Sequence, residues 1–319
     1  MKVCVTRAIP DRGLALLREA NIELNIWPNE LPPKPDELRE LVSECDGILS
    51  LLSDKIDAHI MDSAGPQLKV ISNFAVGYNN IDVKEARRRG IKVGNTPDVL
   101  TEATADLAFA LLISSARRLG EAQKYVKDGA WQTWRPLGHI GQDLKGKTLG
   151  IFGMGRIGAA LAQRCVGGWG MKVIYCSRTQ KPECESRLNV QRVDFKTLLK
   201  TSDFISVHAP LTPETKHIFN RKAFNLMKDH AVFVNTARGG LHHQTDLYEA
   251  LESGQIFAAG LDVTDPEPMS ANEPLLSLPN CIVLPHIGSG TISSREAMSE
   301  IAAENIICAL SKQALRCEV

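Results

Sequence analysis

Short runs of β-branched and other apolar residues alternate with amphipathic segments along this chain from its first residue. The apolar runs include MKVCVT, GILSLL, LKVISNF and IKVGN, and the segments near residues 11–20, 35–44, 57–64 and 83–89 have helical spacing. Strands that are separated by helices pair in parallel, because each helix carries the chain back to the same edge of the sheet. The pattern predicts a domain with a parallel sheet and helices on both faces.

A second series of the same kind begins at KTLGIFG and continues through MKVIYC, DFISVHA, AVFVNTA, AAGLDV and CIVLP. Residues 101–119 read as one long apolar helix between the two series, and SSREAMSEIAAENIICAL reads as a helix near the C-terminus. The chain beyond His286 is too short to bury a core of its own, so it should pack on the first domain. The predicted fold class is α/β with two doubly wound parallel-sheet domains: a discontinuous flavodoxin-like substrate domain (residues 1–98 plus 289–319) and a Rossmann cofactor domain (residues 99–288).

Composition and charge exclude several classes of function. The 37 Lys and Arg residues balance 37 Asp and Glu residues, so we expect neither a nucleic-acid partner nor a membrane partner. The eight cysteines are scattered without a CxxC pair or a compact His/Cys cluster, which favours reduced thiols and no metal site. Without a leader or a long apolar stretch, a cytoplasmic enzyme acting on a small molecule is the expectation.

A glycine motif follows the first strand of the second series and opens a helix. It consists of Gly153, Met154, Gly155, Arg156, Ile157 and Gly158. The first glycine permits a tight turn, the second admits a pyrophosphate close to the backbone, and the third lets the helix lie close to the strand. A strand, this motif, a helix and a second strand in succession predict a dinucleotide site.

The end of the next strand predicts which dinucleotide binds. An NAD enzyme places Asp or Glu there to bind the ribose 2′-hydroxyl, whereas this chain has Ser177, Arg178 and Thr179. Hydroxyl groups and a guanidinium bind a 2′-phosphate through charge-assisted hydrogen bonds, and a carboxylate would repel it. The sequence therefore predicts NADPH as the preferred cofactor, with NADH possible. The alternative is that Arg178 is a solvated loop charge.

Three segments at the ends of later strands carry complementary chemical groups. They contain Arg238 in VNTARGG, Asp262 and Glu267 in LDVTDPEP, and His286 in VLPHIGSGT. Reduction of a carbonyl needs a cation that polarises it and an acid that protonates the forming alkoxide. Arg238 and His286 supply those groups, and Glu267 is the carboxylate that would orient the imidazole and keep it protonated. We expect His208, His217, His242 and His243 to be structural.

The motifs GMGRIG, SVHAPLTPET, VNTARGG, AAGLDVTDPEP and LPHIGSGT, with KVISNFAVGYNNID in the first domain, resemble the D-isomer-specific 2-hydroxyacid dehydrogenases. The resemblance covers nearly the whole chain. Within the family it is closest to the glyoxylate/hydroxypyruvate reductases, to which LLSD, GIKVGNTPDVLT, WQTWRPL and the nonacidic CSRT are similar.

The resemblance implies NAD(P)H-dependent reduction of a small 2-oxo acid to the D-2-hydroxy acid. It implies that Arg238 binds the substrate carboxylate and carbonyl, that His286 donates the proton and that Glu267 pairs with His286. It also implies a homodimer. The other implied positions are the Val76 and Gly77 amides on the carboxylate, Ser289 beside the substrate, Thr104 and Asp262 near the nicotinamide, Pro210 and Ala237 along the cofactor groove, and Trp134 reaching the neighbouring subunit's site.

Two departures from the family wording, FAVGYNN and Gly240-Leu241-His242, leave the substrate preference open. One alternative is a dehydrogenase for another 2-oxo acid or for phosphite. The other is a dinucleotide-sensing protein like the corepressors of this fold, for which we would expect interaction tails or a basic surface. Turnover of a 2-oxo acid or of phosphite would indicate a dehydrogenase, whereas dinucleotide binding without turnover would indicate the sensing protein.

Overall fold

The computed structural model describes all 319 residues, Met1–Val319, and the chain divides into two compact units. The outer unit contains Met1–Leu100 and Ser289–Val319, and the inner unit contains Thr101–Gly288. None of the helices combines the length and the apolar character that are needed to cross a bilayer.

The outer unit is built on a five-stranded parallel sheet. Its strands are β1 (Lys2–Val5), β2 (Glu23–Ile26), β3 (Gly47–Ser50), β4 (Val70–Asn73) and β5 (Lys92–Gly94), in the order β2-β1-β3-β4-β5. Its helices are α1 (Asp11–Glu19), α2 (Pro35–Leu41), α3 (Ala58–Ala64), α4 (Val83–Arg88) and the C-terminal helix (Ile292–Leu310). This strand order is that of flavodoxin-like sheets.

The C-terminal helix is an integral part of the outer unit. A Cβ atom on Gly13 would lie 2.2 Å from the carbonyl oxygen of Ser299, so only glycine lets α1 pack this closely on it. Asn305 donates to the carbonyl of Asn95 at 3.1 Å and accepts from the amide of Cys317 at 2.9 Å. The last helix therefore packs on α1 and is hydrogen-bonded to the residue after β5 and to the C-terminal segment.

The inner unit has a seven-stranded sheet in which every pair is parallel, in the order β12-β11-β10-β9-β6-β7-β8. Its strands are β6 (Thr148–Phe152), β7 (Lys172–Cys176), β8 (Gln191–Arg192), β9 (Phe204–Val207), β10 (Val232–Asn235), β11 (Ala258–Leu261) and β12 (Cys281–Val283). Its helices are α5 (Thr101–Ala116), α6 (Leu119–Lys127), α7 (Arg156–Trp169), α8 (Pro182–Leu188), α9 (Phe195–Thr201), α10 (Arg221–Phe224) and α11 (Gln244–Glu252). The predicted fold class, two doubly wound α/β sheets, is confirmed.

The chain order along the inner sheet reverses at β6, which lies between β7 and β9. Apolar clusters cover both faces of this sheet, one around Leu112 and Leu161 and the other around Phe219 and Phe233. Because the strands are parallel, their carboxyl ends share one edge, and the loops at a reversal of strand order form the usual ligand crevice. The motifs singled out in the sequence follow β6, β7, β10, β11 and β12 at this edge.

The one long helix predicted for residues 101–119 is wrong in its extent. Helix α5 ends at Ala116, Arg118 has a left-handed φ of 55°, and α6 starts at Leu119. The carbonyl oxygen of Ala116 accepts from the amide of Gln142 at 2.8 Å. A contact with a distant loop therefore takes the carbonyl that a continuing helix would use.

Candidate active site

The glycine turn after β6 has the shape of a pyrophosphate cradle. Gly153 has a φ of 100°, and a Cβ atom there would lie 2.5 Å from the amide nitrogen of Ala209. A Cβ on Gly158 would lie 2.5 Å from the carbonyl oxygen of Gly153, whereas a Cβ on Gly155 would meet nothing within 4 Å. Gly153 and Gly158 are thus needed for close packing, whereas Gly155 borders open space at the start of α7.

Helix α7 begins without a side-chain cap, so its first N–H groups are available to an anion. Met154 is buried in the core and Ile157 packs against it, whereas Arg156 is exposed. The motif can therefore offer backbone groups and one cation, and its residues fit the phosphates of a dinucleotide.

The loop after β7 lies beside the glycine turn that follows β6. The amide of Gly153 donates to the carbonyl of Cys176, the last residue of β7, at 2.9 Å. No acidic residue occurs among Ser177, Arg178 and Thr179. Arg192, on β8, donates to the carbonyl of Ser177 at 2.9 Å and to that of Arg178 at 3.0 Å. A second arginine thereby fixes the loop that carries the first.

Arg238 follows β10 on a loop that Asn235 organises. Asn235 accepts from the amide of Ala237 at 3.0 Å and donates to the carbonyl of Arg238 at 2.9 Å. The Arg238 guanidinium donates to the carbonyl of Ala237 at 2.6 Å. Burial lowers the pKa of Arg238, and the charge of Glu267 acts in the opposite direction. The guanidinium stays a cation, since arginine is protonated in proteins.

Gly239 brings the arginine loop against the loop after β11. A Cβ atom at this position would lie 1.9 Å from the carbonyl oxygen of Thr264 and 2.7 Å from the amide nitrogen of Asp265. Any side chain here would force the two loops apart, so this glycine sets the distance between the segments that carry Arg238 and Glu267.

His286 and Glu267 form a hydrogen-bonded pair in which His286 Nδ1 lies 2.9 Å from Glu267 Oε2. The other carboxylate oxygen, Oε1, accepts from the amide of Thr264 at 2.9 Å. Burial would raise the pKa of Glu267, but the hydrogen bond and charge of His286, with the Thr264 amide, lower it overall. Glu267 is therefore a carboxylate, with one oxygen for the imidazole and one for the backbone.

Asp262 and Thr104 hold the segment that follows His286. The carboxylate of Asp262 accepts from the amides of Ile287 and Gly288, each at 2.7 Å. The hydroxyl of Thr104 donates to the carbonyl of Gly288 at 3.1 Å. His286 has a φ of 56°, which is uncommon outside glycine, and these bonds hold the backbone immediately after it. Burial raises the pKa of Asp262, although both amides favour its charged form.

The remaining predicted residues differ in their surroundings. Pro210 is exposed and its carbonyl accepts from Thr215 at 2.8 Å, and Trp134 is 79% exposed. Val76 and Gly77 belong to the outer unit, where their carbonyls accept from Asn95 and Asn73, each at 2.8 Å. Ser289 is the first residue of that unit's second segment.

Sequence reasoning missed Asn235 and Arg192, which act on loops rather than carry reactive groups. They hold these loops through backbone carbonyls and amides, so no pattern of residue types reveals them. It also missed that His243 Nδ1 lies 3.0 Å from Asp246 Oδ1. No group of three or more His, Cys, Asp or Glu side chains is arranged to hold a metal ion.

Comparison with known proteins places this site in a family. Residues 109–288 match the family described as D-isomer specific 2-hydroxyacid dehydrogenase, NAD binding domain. A glyoxylate reductase of Thermococcus litoralis is 50% identical over 310 residues, which are 96% of this chain and 92% of that protein.

Two solved structures are similar over the full length of this chain. A protein of Thermus thermophilus has a TM-score of 0.94 and 45% identity, with 100% of both chains covered. An NADPH-dependent glyoxylate/hydroxypyruvate reductase of Sinorhizobium meliloti, in complex with NADP and malonate, has a TM-score of 0.86 and 32% identity, with 100% of this chain and 96% of that chain covered. With its glycine cradle and its Arg, Glu and His side chains at one sheet edge, this chain belongs to the D-isomer specific 2-hydroxyacid dehydrogenase family.

Proposed function

We propose that this protein reduces glyoxylate and hydroxypyruvate to glycolate and D-glycerate and that it prefers NADPH to NADH. The observation that carries the proposal is the His286–Glu267 pair, which shares a sheet edge with the Arg238 loop and the glycine cradle. The names of the relatives support the substrates, since a reductase for glyoxylate is 50% identical to this chain. The Sinorhizobium enzyme, which is NADPH-dependent, supports the cofactor preference.

Three side chains of the inner unit would carry the reaction. When bound, the reduced nicotinamide supplies a hydride. Arg238 binds the carboxylate and the carbonyl oxygen of the 2-oxo acid, which withdraws electron density from the carbonyl carbon. His286 uses Nδ1 for Glu267, so Nε2 remains to donate a proton to the forming alkoxide. Glu267 orients the imidazole and stabilises its protonated form.

We also assign the amides of Val76 and Gly77 to the carboxylate of the substrate. The support is that Asn73 and Asn95 fix this loop through its carbonyl oxygens. Asn73 also contacts Asn80, whose amide donates to the carbonyls of Leu51 and Asp54 at 3.0 and 3.1 Å. We assign Ser289 to the neighbourhood of the same substrate.

The inner unit would also hold the remainder of the cofactor. We assign Thr104 and Asp262 to the nicotinamide end, and Pro210 and Ala237 to the groove. Ser177, Arg178 and Thr179 would hold the 2′-phosphate, because a guanidinium and hydroxyl groups bind that group and no carboxylate competes. Arg192 supports this assignment, since it fixes the loop with a second positive charge.

We further propose a homodimer in which Trp134 approaches the partner's site. The support is a set of exposed large apolar side chains in one part of the inner unit: Leu119, Val126, Trp131, Trp134, Leu137 and Ile140. Six exposed large apolar side chains within 22 consecutive residues (119–140) favour an interaction site, because monomeric proteins rarely expose so many. Light scattering should give twice the 34.9 kDa chain mass, and a monomer at assay concentrations would contradict the assignment.

The proposed function is tested by measuring the oxidation of NADPH and of NADH with glyoxylate, hydroxypyruvate and pyruvate in one grid. We expect the highest kcat/KM with NADPH and the two polar acids. Preference for pyruvate or a bulkier acid would move the assignment to another 2-oxo acid. Absence of turnover while the dinucleotide still binds would favour the sensor and remove the roles of Arg238, Glu267 and His286.

A further inference from the structure

The orientation of the Asn235 amide is fixed by two backbone groups. A backbone N–H only donates, so the atom that binds the Ala237 amide is the oxygen of Asn235. A carbonyl oxygen only accepts, so the atom that binds the Arg238 carbonyl is the nitrogen. Asn235 is buried, and it therefore presents its second N–H to whichever group lies beside it.

That group is Nδ1 of His242, at 3.0 Å from Asn235 Nδ2. Since Nδ2 is a donor, His242 Nδ1 must present its lone pair, which makes the ring neutral with its proton on Nε2. Burial, followed by the nearby His217 and His243, lowers the pKa of His242 to about 3. The ring therefore accepts this hydrogen bond throughout the neutral pH range.

The position of His242 is set independently of Asn235. Its amide donates to the carbonyl of Gly239 at 3.1 Å, and the next residue, His243, donates to the carbonyl of Phe219 at 2.9 Å. The residue is 1% exposed, and its Nε2 atom is buried without a hydrogen-bond partner. A buried donor without a partner is costly, so a residue that only filled space here would better be apolar. The only hydrogen bond of the imidazole is therefore the one at Nδ1.

We propose that His242 is a positioning residue for Arg238: by accepting from Asn235, it locks the side-chain amide that binds the backbone on both sides of the Ala237–Arg238 peptide. This inference rests on the proposed role of Arg238 in binding the 2-oxo acid. The guanidinium donates to the carbonyl of Ala237, which lies between the two backbone groups that Asn235 binds. A rotation of the Asn235 amide would therefore displace the group that binds the substrate.

A matched pair of variants tests the hydrogen bond. Leucine and asparagine have nearly the same shape, but only asparagine places an acceptor near the position of Nδ1. We expect His242→Leu to lower kcat/KM for glyoxylate by about five- to tenfold through a higher KM, since one hydrogen bond is at stake. His242→Asn should restore most of that loss, and the affinity for NADPH should change in neither variant. Equal loss in both variants, or no loss in His242→Leu, would overturn the proposal.

A second measurement does not depend on turnover or on the folding of a variant. In wild-type protein with ¹⁵N-labelled histidine, NMR spectra should show His242 as the neutral tautomer with its proton on Nε2, without titration in the neutral range. A proton on Nδ1 would overturn the role of His242 even in an active enzyme. Conversely, a wild-type protein with the expected tautomer but no reductase activity would overturn the proposed function and leave the hydrogen bond established.

Discussion

The two carboxylate oxygens of Glu267 serve different neighbours, and this division defines its role. Oε2 faces His286 Nδ1, and Oε1 is held by the amide of Thr264. The residue types and their order along the chain were enough to select Arg238, Glu267 and His286 as candidates. The sequence could not predict the Thr264 contact or the Asn235 contacts, because they depend on the backbone conformation of two short loops, which the residue types alone do not determine.

Replacement of Glu267 by Gln should shift the pH dependence of the reduction. The uncharged amide keeps the shape but stabilises the protonated imidazole less, so the fall of kcat/KM at alkaline pH should begin at lower pH. At neutral pH we expect a loss of about tenfold to hundredfold. Steady-state rates across the pH range check this, with the exposed Glu252→Gln as control. An unchanged pH profile would show that Glu267 does not support the proton donor.

Gly239→Ala should separate the arginine loop from the Glu267 loop. The added Cβ would overlap the Thr264 carbonyl, and overpacking of this kind costs about 1–3 kcal/mol of stability. We expect a lower urea midpoint together with a large loss of kcat/KM. Gly167→Ala in α7 is the matched control, because its Cβ would meet nothing within 4 Å and alanine favours a helix. An active, stable Gly239→Ala protein would refute this account of the site.

At the scale of elements, most periodic segments were predicted close to their observed bounds, short ones included: the helices predicted at residues 57–64 and 83–89 are α3 and α4. The helix predicted near residues 11–20 and the one near the C-terminus are α1 and Ile292–Leu310. Strand β8 has no recognisable pattern in the sequence, since two residues carry no period. The end of α5 at Ala116 was also missed, because it is set by the amide of Gln142. Local patterns cannot report contacts between segments so far apart.

Arg192, on the edge strand β8, should affect the preference for NADPH over NADH. Arg192→Gln should release the carbonyls of Ser177 and Arg178, so the KM for NADPH should rise roughly tenfold while the KM for NADH changes little. Arg178→Gln should have a larger effect of the same kind. The exposed Arg187→Gln on α8 is the control. An equal rise in both KM values would show that Arg192 only supports the fold.

At the scale of the whole molecule, the alternation of strands and helices was sufficient to predict two parallel sheets. The alternation fixes strand direction, and parallel strands place all their carboxyl ends at one edge. Five motif-bearing loops therefore had to share an edge of the inner sheet. Their distances from one another depend on packing, such as the approach of Gly239 to Thr264.

Two histidines whose pKa values are lowered in the folded protein should make it sensitive to acid. Burial lowers the pKa of His208 to about 4, and burial with the neighbouring histidines lowers that of His242 to about 3. The unfolded chain takes up these protons near the ordinary value of 6.5, so the unfolded state binds more protons below it. The free energy of unfolding is therefore highest above pH 6.5, and it decreases as the pH falls from 6.5 toward 4.

Urea unfolding at a series of pH values checks this prediction. Each histidine should contribute a slope of about 1.4 kcal/mol per pH unit within that window. His242→Leu should show a shallower slope than wild type, whereas His59→Leu, at an exposed position, should not. A slope that is the same in all three proteins would assign the acid sensitivity to other groups.

The cradle, Arg238, Glu267 and His286 all lie within Thr101–Gly288, whereas Val76 and Gly77 lie in the other unit. The two sets lie in separate stretches of chain, so substitutions within residues 75–79 leave the cradle, Arg238, Glu267 and His286 unaltered. Under the proposed roles, we expect the choice of acid to diverge among relatives while these four features are inherited together.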